Sequence, residues 1–406
     1  MSQIDAAWGA GPDAAYETLA ERFRPLFARI REGAISRELN RELPLEQIRW
    51  LKESGFTALR VPQAYGGSGA SLPQLFNLLI ELGEADSNLV QAIRGHLGFV
   101  EGVLVSRQPA RRERWLARLG RGQLVGPAWS EVGEVARGRF GTRLEPHGQG
   151  WRLFGSKFYT TGTLYSEWVD VGVSGSDGEI FAVTVAREAP GVQVLDDWNG
   201  FGQTLTASGT AHFDQVAVDE ADINREQRFG YAPAFFQLVH LATLAGLGRA
   251  LSGEVAQAVA NRTRTYSNGN ADRAGQDPQV LQVVGRLRGA AYTSGAITLK
   301  NAEALQRAHA AQLGEDETAA TQAVAIAELE VAQAQSIVMD LILNATTTLF
   351  DALGASATLR PLGLDRFWRN ARTLSSHNPR IYKERIVGDY AVNGTAPPEQ
   401  WRIGVA

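Results

Sequence analysis

Three long stretches in the second half of the chain contain no internal proline, and they restrict the fold more than any other feature. Residues 235–264, 278–313 and 318–353 are rich in alanine, leucine and glutamine, which favour helices. Apolar residues recur in them at spacings of three and four, which predicts a bundle of antiparallel helices. Helices of this length commonly bury part of their surface against copies of the same chain, so we expect an oligomer.

The stretch before these helices has a different pattern. Residues 151–154 alternate polar and apolar side chains, and residues 168–173 and 180–185 are β-rich. Asp177 and Gly178 between the last two segments form a hairpin signal. Thr210-Ala211-His212-Phe213 and residues 216–218 have a similar β-rich composition. We therefore predict a small antiparallel β domain over residues 121–230, built as a compact barrel or sandwich.

The first third of the chain again predicts helices. Apolar side chains from Tyr16 to Ile30 share one helical stripe, and further helical segments follow between residues 45 and 104. The predicted fold class is therefore α+β, mainly α. It has an N-terminal helical domain at residues 1–120, the β domain at 121–230 and a C-terminal helical bundle at 231–406.

Composition excludes several classes of protein. The 40 basic and 44 acidic side chains give a net charge of −4, which does not suggest a nucleic-acid surface. The absence of cysteine excludes disulfides and thiolate chemistry. The N-terminal residues lack the features of a secretory signal, and no run approaches the roughly 18 apolar residues of a membrane span. We expect a cytoplasmic protein without nucleic-acid or membrane partners.

Two glycine-containing motifs carry a resemblance to a known family. The segment VPQAYGGSGA at residues 61–70 is similar to the VPxxYGGxG signature of the acyl-CoA dehydrogenase superfamily. The segment GSKFYTTG at residues 155–162 resembles that superfamily's GxKxxIT segment. The order of helical, β and long-helix regions also matches. The resemblance implies an acyl-CoA dehydrogenase-like fold whose C-terminal domain is a four-helix bundle.

The C-terminal region departs from the dehydrogenases of this superfamily. Those enzymes abstract a proton from an acyl-CoA with a glutamate that many of them hold near the C-terminus, whereas residues 369–377 contain no carboxylate. FWRNART at residues 367–373, followed by His377-Asn378-Pro379, instead resembles the flavin-dependent monooxygenases of this fold. The subgroup includes dibenzothiophene monooxygenase and sulfur-acquisition enzymes. DWNGFGQTLTASGT at residues 197–210 and TRTYS at 263–267 support the same subgroup.

This resemblance implies a two-component monooxygenase. Such an enzyme uses reduced flavin and O₂, through a C4a-hydroperoxyflavin, to oxygenate a small organic substrate, for which an organosulfur compound is the candidate class. The site must exclude water, anchor the flavin phosphate and supply an acid/base group. Histidine suits the last role because its pKa lies near neutrality. The resemblance places His377 and His96 in this role, although either could be structural, as a helix terminator or a packing residue.

The resemblance also implies the cofactor contacts. Arg369 and Arg372 lie three residues apart and could face one phosphate, with a solvated or carboxylate-paired face as the alternative. Arg264 is a weaker candidate for the same anchor, from a neighbouring subunit. The remaining candidates lie in the β domain and would line the flavin ring: Trp129, Ser130, Tyr159, Thr160 and Thr161, with Thr161 assigned to catalysis.

The substrate pocket is assigned to Trp198 and Phe201, with core packing as the alternative. We expect FMN, with FAD as the alternative. A P-loop, a GxGxxG segment after a strand, an HExxH motif and clustered metal ligands are all absent from the sequence, so we predict no metal site and no nicotinamide site. A separate reductase should then supply reduced flavin to a homotetramer. Two rival functions stay open, an acyl-CoA dehydrogenase with an unrecognised base and a non-catalytic flavin-binding protein.

Overall fold

The computed structural model describes residues 7–133, 139–175 and 178–398. The first six residues, on which the absence of a signal was judged, and Asp177 of the hairpin signal lie outside the described residues. Within the described ranges, helices at both ends of the chain enclose one β-sheet region.

The N-terminal region is helical. The predicted stripe between Tyr16 and Ile30 is divided between two helices, because Pro25 stands in the first turn of the second one, where its missing N–H costs nothing. The helices are α1 (Tyr16–Glu21), α2 (Arg24–Glu32), α3 (Ala34–Asn40), α4 (Leu45–Glu53), α5 (Leu72–Ala85), α6 (Ser87–Leu104) and α7 (Pro109–Gly120).

The middle region forms a sheet with the strand order β6-β7-β3-β2-β4-β5-β8, and β1 pairs with β4. The pairings of β1 with β4 and of β2 with β4 are parallel, so the prediction of an antiparallel domain was wrong at these contacts and the sheet is mixed. The strands are β1 (Val125–Ala128), β2 (Arg143–His147), β3 (Gly150–Lys157), β4 (Trp168–Ser174), β5 (Ile180–Ala186), β6 (Val192–Val194), β7 (Ala211–Val218) and β8 (Ile223–Asn224).

The three long helices are confirmed. Predicted and observed bounds differ by three residues at each end of the first helix and by one residue at the start of the third. The C-terminal helices are α8 (Ala232–Asn261), α9 (Pro278–Leu313), α10 (Glu317–Leu353), α11 (Asp365–Ser376) and α12 (Lys383–Asn393).

Helices α8 and α10 are long and apolar enough to cross a membrane by length and composition. The sequence-based expectation that no segment approaches this limit was therefore too strict. In α8, 89% of the apolar window is buried inside the fold, as expected for the core helix of a bundle. In α10 the buried share is 50%, and the other half forms part of the molecular surface.

Three hydrophobic cores hold the molecule together: a large one shared by the helices, a smaller one between the strands and a third around Trp115 of α7. The larger core is continuous from Tyr16 in α1 to Leu374 in α11, so the N-terminal and C-terminal helices share one interior. The smaller core lies between the strands and includes Val171, Val183 and Phe213. The helical domains predicted at the two ends of the chain are therefore one packing unit, against which the β region is placed.

Candidate active site

Helix α6 contacts β1 and α8 at two glycines. A Cβ atom added at Gly95 would lie 2.4 Å from Cδ of Pro127, and one added at Gly98 would lie 2.1 Å from Cζ of Phe236. Larger side chains would therefore push β1 and α8 away from α6. The glycines on either side of His96 in the sequence therefore mark a close approach of α6 to β1 and α8.

Arg94 lies on the same face of α6. Its Nε donates to the carbonyl oxygen of Phe236 at 3.1 Å, and its guanidinium lies 4.8 Å from the centroid of the Phe236 ring. It forms no ion pair with any carboxylate among the described residues. Burial and the nearby Arg228 lower the pKa of Arg94 to about 9, so the side chain keeps its positive charge at neutral pH.

Arg228 approaches from the segment between β8 and α8. Its guanidinium lies 3.8 Å from the Trp129 ring centroid and 6.0 Å from that of Phe236. The Trp129 Nε1 donates to Asp170 Oδ2 at 2.7 Å, which orients the indole ring beneath the cation. Asp170 raises the pKa of Arg228, but the larger effect of burial leaves that pKa lowered.

Two imidazoles face the same region. The rings of His377, at the C-terminal end of α11, and His240, in α8, lie 4.5 Å apart. His377 is open to solvent, although the surrounding protein and Arg94 lower its pKa to about 4. A side chain with both properties lies in a cleft rather than on an outer face. We call the site bounded by Arg94, Arg228, Phe236, His240 and His377 the arginine–histidine cleft.

Side-chain amides extend this cleft into the bundle. Asn378 Nδ2 donates to Gln237 Oε1 at 2.6 Å, and Gln335 Nε2 donates to the carbonyl oxygen of Asn378 at 3.4 Å. Several buried polar atoms nearby have no hydrogen-bond partner: Gln237 Nε2, Gln335 Oε1 and both ring nitrogens of His240. Buried polar groups are usually paired, so this group of atoms indicates a place for a polar ligand.

His96 occupies a different position from His377. It is 2% exposed, its Nε2 lies 2.9 Å from the carbonyl oxygen of Thr57, and its Nδ1 accepts from the N–H of Val125 at 3.3 Å. Burial lowers the pKa of His96 to about 4. With both nitrogens engaged by backbone, His96 joins α6 to β1 and is not among the groups that meet in the cleft. Its catalytic role stays a prediction.

The two predicted flavin-facing segments of the β region are neighbours. Ser130 and Phe158 form an antiparallel bridge, in which the N–H of Phe158 donates to the Ser130 carbonyl at 2.9 Å. This bridge places Trp129 and Ser130 beside Tyr159. Tyr159 is exposed and has a positive φ of 58°, a conformation that an ordinary side chain adopts only when its surroundings impose it.

The next two candidates, Thr160 and Thr161, are buried. Thr160 Oγ1 donates to the carbonyl oxygen of Gly209 at 2.9 Å. Thr161 Oγ1 lies 2.7 Å from Ser208 Oγ, which lies 2.7 Å from Thr206 Oγ1. Both threonines therefore attach the strand end to the loop before β7. Thr206 Oγ1 donates to the carbonyl oxygen of Gln203 at 2.8 Å, so Ser208 donates to Thr206 and Thr161 donates to Ser208.

The two arginines predicted as a phosphate anchor differ in their surroundings. Arg369 Nη1 lies 3.2 Å from Glu38 Oε1, and its Nε donates to Asp365 Oδ2 at 2.8 Å. Arg372 donates to Ser376 Oγ of its own helix at 3.2 Å and pairs with no carboxylate among the described residues. Arg369 therefore has the carboxylate-paired environment considered as its alternative, and Arg372 is the one left available to a phosphate.

The residues predicted to wall the substrate pocket lie in the loop before β7. Trp198 contacts Tyr159, with ring centroids 6.0 Å apart, and its Nε1 donates to the carbonyl oxygen of Gln203 at 3.1 Å. Phe201 stacks on Trp368 at 5.6 Å and is 55% exposed. Only Trp198 adjoins the predicted flavin-facing strand end. The two substrate assignments stay predictions.

Arg264 lies at the opposite end of α8 from His240. It lines a cavity of about 950 Å³ together with Arg262, Tyr266 and the first residues of α11. The structure therefore does not bring Arg264 to the cleft of its own chain, and its role toward a neighbouring subunit stays a prediction. The cavity wall also includes Glu38 and Glu254.

Sequence reasoning missed Arg94, Arg228 and His240. A signal for Arg94 exists, because residues in an α-helix are about 100° apart and Arg94 shares the face of Gly95 and Gly98, whereas His96 does not. Arg228 and His240 stand outside any motif, and only the packing of α8 against α6 brings them together.

Comparison with known families agrees with this geometry. The acyl-CoA dehydrogenase N-terminal domain matches residues 13–123, and the acyl-CoA dehydrogenase C-terminal domain matches residues 238–379. Together the two matches cover more than half of the chain. The chain belongs to the acyl-CoA dehydrogenase superfamily. The superfamily expectation drawn from the glycine motifs is thereby confirmed.

Individual relatives are similar over most of their length. The probable FMNH₂-dependent monooxygenase SfnC of Pseudomonas putida is 26% identical over 390 residues, 92% of this chain and 94% of that protein. Dibenzothiophene monooxygenase of Mycolicibacterium goodii is 26% identical over 367 residues, 86% of this chain and 87% of that protein. The structure of TdsC from Paenibacillus sp. A11-2 with FMN and indole, 24% identical, has the same fold, with a TM-score of 0.86 over 96% of this chain and 99% of that one.

Proposed function

We propose that this protein is a two-component flavin-dependent monooxygenase that oxygenates a small organosulfur compound. Reduced FMN from a separate reductase and O₂ would be its co-substrates. The observation that carries the proposal is the position of His377, which stands in a cleft of unpaired polar groups where a dehydrogenase would need a carboxylate. No carboxylate among the described residues bonds to His377.

The residues of the cleft fit a flavin. The edge of a flavin ring presents alternating carbonyl oxygens and nitrogens, and the unpaired amide and imidazole groups of Gln237, Gln335 and His240 offer both donors and acceptors. Trp129 and Tyr159 supply aromatic surface on the β side. When bound, reduced FMN supplies the two electrons that activate O₂, so that one oxygen atom enters the substrate and the other leaves as water.

His377 would manage a proton at this site. Asn378 Nδ2 donates a hydrogen bond to Gln237 Oε1, which identifies the other atom of this amide as Oδ1. Asn378 Oδ1 therefore accepts from His377 Nδ1, 3.1 Å away. This contact assigns the proton to Nδ1 and leaves Nε2 as an acceptor that faces the cleft. Because its pKa is lowered to about 4, the imidazole is neutral at working pH and can accept a hydrogen bond there.

The cofactor phosphate would lie against Arg372 and, from a neighbouring subunit, Arg264. We propose a homotetramer, which would bring the α8 end of one chain to the flavin of another. Exposed apolar side chains on the C-terminal helices support such an assembly: Leu281, Tyr292, Ile326, Ile337, Tyr390 and Val392. Large apolar side chains grouped on the outer surface of a protein are typical of subunit interfaces.

An isotope experiment tests the proposed function. The protein is supplied with FMN and a separate NADH-dependent flavin reductase, under ¹⁸O₂, with a panel of thioethers, sulfoxides and sulfones. We expect a product with one added ¹⁸O atom and none without the reductase. The rival dehydrogenase would instead bleach bound flavin when an acyl-CoA is added without oxygen. Oxidation of NADH by the protein and FMN alone would contradict the need for a reductase.

A non-catalytic flavin-binding protein is the other rival. It would bind FMN with the same contacts yet transfer no ¹⁸O. Hydrogen peroxide formed at the rate of free reduced FMN, with no oxygenated product from any member of the panel, would favour it over the monooxygenase.

A further inference from the structure

We propose that the arginine–histidine cleft selects substrates with an anionic oxyacid group, a sulfonate, sulfinate or carboxylate, held between Arg94 and Arg228. This inference rests on the proposed function and specifies the substrate class of the same site.

The two guanidinium groups approach the same aromatic ring, Arg94 as a half-buried side chain and Arg228 as an exposed one. Both lie within 6.0 Å of the Phe236 ring centroid, Arg94 from α6 and Arg228 from the segment before α8. The carbonyl oxygen of Phe236 fixes Arg94 through Nε, which leaves its terminal nitrogens without a hydrogen-bond partner among the described residues. The Trp129 ring contacts Arg228 by a cation–π interaction, with its centroid 3.8 Å from the guanidinium. Fixed planar donors of this kind suit the oxygens of an oxyanion.

The charge around the two arginines is not balanced. The only charged residue that perturbs Arg94 within the described chain is Arg228, another cation. The one carboxylate that acts on Arg228 is Asp170, which Trp129 already holds through a hydrogen bond of 2.7 Å. The imidazoles of His240 and His377 are neutral because the surrounding protein and Arg94 lower the pKa of both. Two cations and one carboxylate leave a net positive charge, which an anionic ligand would neutralise.

Position relative to His377 separates a substrate anion from a cofactor phosphate. Arg94 lowers the pKa of both His377 and His240, so it lies beside the group assigned to the oxygen chemistry. A phosphate bound there would put the flavin's tail where its reacting ring has to be. Arg372, five residues before His377 in α11, and Arg264, which follows α8, stay the candidates for the phosphate.

Calorimetry on the FMN-loaded protein tests the anion site with matched pairs of probes. Methanesulfonate and butanesulfonate are titrated beside dimethyl sulfone and butyl methyl sulfone, which have similar size and no charge. We expect each sulfonate to bind at least tenfold more tightly than its sulfone. Arg94→Met and Arg228→Met should each weaken sulfonate binding by about 10- to 100-fold and leave sulfone binding unchanged. Arg49→Met, which removes a surface arginine paired with Glu46, should change neither.

The outcomes separate the anion site from its alternatives. Equal binding of sulfonate and sulfone by the wild-type protein would overturn the inference. So would a loss of FMN affinity in Arg94→Met as large as its loss of sulfonate affinity, because the arginine would then serve the cofactor. Thermal unfolding of each variant checks that the fold is retained, and Arg94→Lys, which keeps the charge, should recover part of the sulfonate affinity. Calorimetry requires no turnover, so failure of the ¹⁸O experiment would leave this result interpretable.

Discussion

Arg369 and the pair formed by Arg94 and Arg228 carry the same charge in opposite surroundings. Arg369 is bound by Glu38 and Asp365 at the face between α11 and the N-terminal helices. Arg94 and Arg228, beside Phe236, have no ion pair among the described residues. A carboxylate-paired arginine contributes to folding, whereas an unpaired one in a cleft is free for a ligand. The contrast shows that the partner, rather than the arginine, decides between structure and function.

The largest expected effect concerns the unpaired cleft. His377→Ala should lower the rate of oxygenated product formation by about 10²- to 10⁴-fold, the usual contribution of a positioned proton-transfer group. Reduced flavin and O₂ would then yield hydrogen peroxide in place of product, and the ratio of peroxide to product measures this loss of coupling. His147→Ala, on an exposed strand of the sheet, is the control. Unchanged coupling in His377→Ala would remove His377 from the mechanism.

The paired arginine should affect stability instead. Arg369→Met would leave the Glu38 carboxylate, whose side chain is 2% exposed, without its cation and should lower the free energy of unfolding by about 3 kcal/mol. Urea unfolding measures this change. The double variant Glu38→Gln with Arg369→Met should recover much of the loss, since no charge is then stranded. If Arg369→Met instead lost FMN affinity at full stability, the contrast between Arg369 and the arginines of the cleft would be wrong.

His96 extends the comparison to the pH dependence of stability. His96 has a folded-state pKa of about 4, lowered by burial, so the unfolded chain takes up a proton below pH 6.5 while the folded one does not. Its contribution to stability is therefore present above pH 6.5 and falls by roughly 1.4 kcal/mol per pH unit towards pH 4. Thermal unfolding of His96→Gln should show a shallower decline over this range. Parallel pH profiles for both proteins would contradict the assignment.

The smallest expected effect is that of Arg372 on stability. Its hydrogen bond to Ser376 lies on the exposed side of α11, so Arg372→Met should change the free energy of unfolding by less than about 0.5 kcal/mol. As a phosphate contact, however, it should weaken FMN binding about tenfold, measured by titration of the flavin. Riboflavin, which has no phosphate, serves as the control ligand, and its affinity should not change. Equal losses for both flavins would exclude the phosphate role.

The sequence predicted the fold better than the site for a physical reason. Long helices follow from local periodicity, and α8, α9 and α10 lie within three residues of their predicted bounds. The parallel pairing of β1 with β4 was missed because the partners lie about 40 residues apart and the strand itself is only four residues long. Likewise, the shared core of the N-terminal and C-terminal helices depends on contacts between distant segments.

By itself, the sequence determined the superfamily, the long-helix bundle and the absence of a carboxylate between Arg369 and His377. Those properties depend on local pattern and on residues present or missing at fixed positions. Only the tertiary structure decided which polar groups are bonded to other groups of the protein. It placed Glu38 against Arg369, enclosed His96 between backbone groups and left Arg94 near His377 with no counter-ion in the described part of the chain. An ion pair forms between residues distant in sequence, so the availability of a charge to a ligand is a property of the packed molecule.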